Sequence, residues 1–148
     1  MLSGGCFCGA IRYQASGQVF NCTNCHCEIC RRTTGAPCVA WFSVPAAGFR
    51  VVLGAPARFR SSDHATRTFC PTCGTQLTFS DDAAPEEIDI STCSLDDPAA
   101  SAVVPHDHTF TSSQLPWLRL ADELPRYARN RSAGVAPCCA SASLKNIF

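Results

Sequence analysis

Cys70-Pro71-Thr72-Cys73-Gly74 is the stretch from which the fold of this chain is read. Two cysteines three apart can turn their sulfurs to a common point. Gly74 permits the positive φ that lets backbone N–H groups face those sulfurs. Cys6-Phe7-Cys8-Gly9 is a tighter second half, also closed by a glycine. Together they offer four thiolates, the count of a closed tetrahedral structural zinc site. An ion held this way clamps the N-terminal strand to a central hairpin and contributes directly to folding.

Working outward, residues 66–69 run into Cys70 and residues 76–79 leave Gly74, so the metal turn joins two strand arms. Residues 9–13 read as a strand leaving the first cysteine turn, and residues 38–44 as an aromatic, β-branched strand that stops at Pro45. Residues 49–53 and 57–61 flank Gly54-Ala55-Pro56 and look like a hairpin or a pair with a longer loop. Residues 87–91 alternate polar and apolar around Ile88 and Ile90, a half-buried strand. Residues 109–113 and 117–120 are weaker strand candidates. The best helix signal is 27–34, one or two turns ending at Gly35. Ten prolines and nine glycines suit a turn-rich, mainly β fold. Seven of the twelve acidic residues fall between Asp81 and Asp97 and read as a solvated face rather than a cation site. Beyond Tyr127 the composition turns Ser/Ala/Gly-rich and carries Cys138-Cys139. The division expected is a domain over 1–127 and a tail over 128–148.

The second cluster is Cys25-His26-Cys27-Glu28-Ile29-Cys30. It supplies three thiolates in six residues, and three protein ligands with an open fourth position are the arrangement of a catalytic zinc. Cys22 can be a fourth ligand that closes the site, or a buried thiol beside it. His26 reads as a wall of the site rather than a ligand. Arg31 and Arg32 follow at once; they either offset the anionic sulfurs and orient a substrate carboxylate, or form a solvated face. All-thiolate tetrahedral ligation also suits iron.

Twelve cysteines in 148 residues raise a disulfide scaffold as the rival. Disulfide scaffolds are short and secreted. This chain opens without a basic start or a long apolar stretch, so no signal peptide is expected, and its apolar runs are too short to span a membrane. Neighbouring cysteines this close share an ion more readily than they pair. A reducing cytoplasm is the expected compartment. The 12 basic and 12 acidic residues balance, and there is a single lysine. A nucleic-acid partner is disfavoured, because phosphate contacts need clustered positive charge.

With these residues assembled, the chain resembles the glutathione-dependent formaldehyde-activating enzymes, the GFA/CENP-V group with an Mss4-like fold. The matching stretches are Gly4-Gly5-Cys6-Phe7-Cys8-Gly9-Ala10, Cys25 through Arg32 with Gly35 and Ala36, and Ala40-Trp41. Arg67 through Leu77, Ser94-Leu95-Asp96-Asp97-Pro98, Pro105-His106, Trp117-Leu118 and Asp122 through Pro125 follow in order. The resemblance implies a β-tent of small antiparallel sheets, a structural zinc on Cys6, Cys8, Cys70 and Cys73, and a second zinc on Cys25, Cys27 and Cys30. It implies a carbon–sulfur lyase activity in which glutathione's thiol adds to formaldehyde, giving S-hydroxymethylglutathione. His26, His106 and Asp97 are candidates for a general base. The rival function is a non-catalytic zinc module that binds a protein or small-thiol partner. The two turn on whether the three-cysteine site keeps a vacancy. The oligomeric state is not legible.

Overall fold

A computed structural model describes residues 1–97 and 99–131. Strands dominate. β1 (Leu2–Gly5), β2 (Arg12–Ala15) and β5 (Phe49–Leu53) form an antiparallel sheet in the order β1-β2-β5. The larger sheet has seven strands: β3 (Phe20–Cys25), β4 (Val39–Pro45), β6 (Ala57–Ser62), β7 (Ala65–Phe69), β8 (Gln76–Asp81), β9 (Glu87–Ser91) and β10 (Asp107–Thr109). Their order is β10-β3-β4-β9-β8-β7-β6, and only the β10–β3 pair is parallel. The longer helix, α1 (Glu28–Thr34), follows β3, and a four-residue helix, α2 (Ala99–Ala102), precedes β10. No helix among the described residues is long and apolar enough to cross a membrane.

The mainly β expectation holds, and so does the metal turn, since β7 and β8 pair antiparallel across Cys70–Gly74. The expected pairing of 49–53 with 57–61 does not. β5 pairs with β2 and β6 with β7, in different sheets. Gly54 has φ +75 and its Cα packs on the Ala10 carbonyl, so the chain leaves the small sheet there and crosses to the large one. Residues 111–113 form a short 3-10 turn, and 117–120 are not a strand. β1, β3 and β10 carry little strand signal: β1 is half glycine, and β10 has three residues.

Strand periodicity divides the large sheet's side chains between two clusters. Phe42, Val44, Leu77 and Ile90 bury with Ile11 and Tyr13 of the small sheet in the main core. Burying each such side chain contributes about 1.5–3 kcal/mol. Tyr13 keeps its hydroxyl satisfied inside, 2.7 Å from Ser94 Oγ. On the opposite face Cys25, Cys30, Val39 and Trp41 form a smaller cluster with Phe79 and Phe110. That second face carries the site.

Candidate functional site

The four-cysteine set assembles from both ends of the small-sheet contact. The sulfurs of Cys6, Cys8, Cys70 and Cys73 all lie within 4.8 Å of one another. Cys6 and Cys8 Sγ are 3.5 Å apart, and Cys8 and Cys70 Sγ 3.8 Å. Sulfurs tetrahedrally placed at a metal–sulfur distance near 2.3 Å sit about 3.8 Å apart, so the spacing fits one ion. The turns are built alike. Gly9 (φ +78) donates to Cys6 O, and Gly74 (φ +77) donates to Cys70 O. The Ile11 N–H points at Cys6 Sγ, 3.2 Å away. Cys73 is lowered to about 5 by the Thr75 hydroxyl and N–H.

The three-cysteine set sits at the β3–α1 junction. Cys25 ends β3, Cys27 caps α1, and Cys30 lies in its first turn. The Cys27 sulfur accepts from Cys30 N at 3.2 Å. Gly35 closes the helix in the left-handed region, φ +68. The three sulfurs lie within 4.8 Å of one another. Sulfurs this close cannot all be anionic without a cation. Hydrogen bonds from Cys25 and Cys30 hold Cys27 far below the ordinary thiol range, while bonding to Cys27 and Cys30, with burial, pushes Cys25 far above it. The donor set is therefore suited to an ion, as the spacing anticipated.

Cys22 does not join it. Cys22 and Cys25 stand three apart on β3, so their side chains point to opposite faces. Cys22 buries in the main core and Cys25 in the second cluster. The fourth-ligand option is corrected on that ground: no fourth sulfur among the described residues closes the three-cysteine set. Cys138 and Cys139 lie outside the described residues.

The three sulfurs open on a cavity of about 480 Å³. Its walls include Trp41, Phe79, Phe110, Arg67 and Asp89. Arg67 reaches across from β7, and its Nη2 donates to Cys30 Sγ at 3.4 Å. Its guanidinium carbon lies 4.8 Å from the Phe79 ring centroid and 5.7 Å from that of Trp41. Asp89 on β9 accepts from Ser43 Oγ at 2.5 Å, and burial pushes its carboxyl up to about 6. At the far end Arg131 pairs with Asp107 and bonds Asn21. Residues 128–129 hydrogen-bond to Ser112 and Phe110.

The polar residues beside the cysteines lie elsewhere than expected. Arg32 is an exposed partner of Glu28 across one helical turn. Arg31 donates from Nε to the His26 carbonyl. Neither lines the cavity. His26 is fully buried behind the metal turn, with its Nε2 2.9 Å from Nδ1 of His108. His108 Nε2 in turn contacts Asp122 at 3.0 Å. Burial, then the His108 and Arg126 charges, lower the His26 pKa. This Asp122–His108–His26 chain ties residues 107–127 to the back of the metal turn. Arg67, His108 and Asp122 are the parts of the site that sequence spacing alone did not single out.

The sequence matches the family model described as glutathione-dependent formaldehyde-activating enzyme over residues 1–113. A Schizosaccharomyces pombe protein named only as an uncharacterized lyase is 35% identical over 78 residues. That alignment covers 51% of this chain and 55% of the relative, so the chain spans about half of that protein's length. The crystal structure of a Rhodobacter sphaeroides protein matches 72% of this chain and 99% of its own, at 28% identity and a TM-score of 0.56. With more than half of its length inside the family model, the chain belongs to the glutathione-dependent formaldehyde-activating enzyme family.

Proposed function

We propose that this protein is a zinc-dependent carbon–sulfur lyase that adds glutathione or a related small thiol to formaldehyde or a similar aldehyde. The observation that carries this reading is a three-sulfur cluster, open on a cavity, with no fourth sulfur among the described residues to close it. Zinc held by Cys25, Cys27 and Cys30 supplies a Lewis acid that favours the thiolate form of a substrate thiol near neutral pH. Cys6, Cys8, Cys70 and Cys73 hold the structural ion. In the reaction the substrate sulfur bonds to the aldehyde carbon, the carbonyl π pair moves to oxygen, and the thiol's proton ends on that oxygen.

The chain's own residues shape the place where this happens. Trp41, Phe79 and Phe110 present apolar surface to the cavity beside the sulfurs. Arg67 fixes Cys30 and offsets negative charge there. The functional unit extends past the expected boundary at 127 to at least residue 131, because Asn130 and Arg131 line the cavity, and a reducing compartment such as the cytoplasm keeps the thiols of the two metal clusters free. The test is the rate of S-hydroxymethylglutathione formation by proton-exchange NMR with zinc-loaded protein. Acceleration over the uncatalysed reaction supports the reading. A rate equal to background removes it for this substrate pair.

A further inference from the structure

Three buried donors on β7 and β8 have no acceptor among the described residues. Arg67 and Gln76 are 4% and 9% exposed. Arg67 uses Nη2 on Cys30, but its Nε and Nη1, and Nε2 of Gln76, have no hydrogen-bond partner among the described residues. Buried donors are nearly always paired, and leaving a charged one unpaired is the most costly case.

Strand register brings the two residues together. Arg67 on β7 stands opposite Phe79 on β8. The register then passes from Thr68 opposite Thr78 to Phe69 opposite Gln76, which makes Leu77 an extra, bulged residue. The bulge turns Gln76 onto the face that Arg67, Phe69 and Phe79 share. A second cavity of about 300 Å³ opens there, lined by Thr33, Phe59, Arg67, Phe69, Gly74 and Gln76. Arg67 lines both this cavity and the one over the sulfurs. The rings of Phe79 and Trp41 hold the guanidinium, which leaves its edge to bond. Among the other cations of the larger cavity, Arg131 is paired with Asp107 and His64 with Asp81. Among the described residues Arg67 has no carboxylate within ion-pairing distance; Asp89, in the same cavity, interacts with it only at longer range.

We propose that Arg67 and Gln76 form a carboxylate-binding subsite beside the three-cysteine cluster. A carboxylate is acceptor-only and anionic, the complement of a guanidinium and an amide N–H₂. A thiol carrying a carboxylate a few bonds from its sulfur then places sulfur at the cysteines and carboxylate at Arg67 and Gln76. The inference rests on the thiol-adding reading and narrows its substrates to acidic thiols.

Titration calorimetry on zinc-loaded protein with 3-mercaptopropionate and with 2-mercaptoethanol tests it. The readout is the ratio of the two affinities. The wild type is expected to favour the acidic thiol by about tenfold or more, the worth of one charge-assisted hydrogen bond. Gln76→Leu and Arg67→Lys should each cut that ratio several-fold. A ratio near one in the wild type overturns the subsite, and so does a ratio that both variants retain. If Arg67→Lys loses zinc, Gln76→Leu alone decides. Catalysis without carboxylate preference sinks the subsite and leaves the lyase reading standing. Preference without catalysis does the reverse.

Discussion

At the residue scale, Asp89 gives the fold a testable pH dependence. Its carboxyl is pushed up to about 6 from 3.8 by burial, which outweighs the hydrogen bond from Ser43. A carboxyl raised in the folded state destabilises once it ionises. The effect is absent below about pH 4, where both folded and unfolded chains are protonated, and it is complete above about pH 6. A shift of this size is worth up to about 3 kcal/mol. Asp89→Asn is therefore expected to gain stability relative to wild type as pH rises from 4 to 6 and to hold that gain at pH 7. Thermal unfolding of both proteins across that range checks it. A stability difference that does not change with pH would mean the carboxyl is not buried as described. Cys25, Cys27 and Cys30 were legible because their spacing has few other uses. Arg67 was not, because an arginine between two threonines in a strand reads as a solvated residue until the register puts Phe79 opposite it. Arg31 and Arg32 drew notice by adjacency alone, and helix geometry carries both away from the cavity wall.

At the element scale, glycine separates conformational from steric demand. Gly35 ends α1 at φ +68, and a Cβ there meets nothing within 4 Å. Gly35→Ala should cost only the left-handed backbone penalty, about 1–2 kcal/mol. Gly4 has no such φ, but a Cβ would collide with the Ser94 carbonyl and the Tyr13 hydroxyl. Gly4→Ala should cost about 3 kcal/mol or more, since the β1–β2 contact must shift. Urea midpoints of the two zinc-loaded variants give the order, and Gly35→Ala the more damaging would contradict it. The α1 limits were legible because Cys27 and Gly35 are caps as well as boundaries. The Gly54-Ala55-Pro56 turn misled because a turn signal does not say which sheet the next strand joins. The parallel pairing of β10 with β3 was not legible: it joins residues more than eighty apart, and β10 has three residues.

At the scale of the whole molecule, the four-cysteine set bridges the N-terminal strand region and the β7–β8 hairpin. A structural zinc binds with about 10–16 kcal/mol. That is comparable to the whole stability of a domain, about 5–15 kcal/mol. Cys70→Ser is therefore expected to lose cooperative unfolding, and Cys27→Ser to keep it, as circular dichroism on heating would show. Equal damage by both would contradict the division into clamp and working site. The mainly β class was legible from turns and metal spacing. The union of two sheets about one core was not, since it depends on contacts such as Gly4 with Leu95 that no local pattern reports.

Metal content and rate measured together in one sample set decide whether the three-cysteine ion does the chemistry. Wild type and Cys27→Ser are assayed for zinc per chain and for hydroxymethylglutathione formation by proton-exchange NMR. The wild type is expected to hold two ions and to run above the background rate, and Cys27→Ser to hold one ion, keep its fold and run at background. Equal rates in two folded proteins that differ by one ion would contradict that role for the ion.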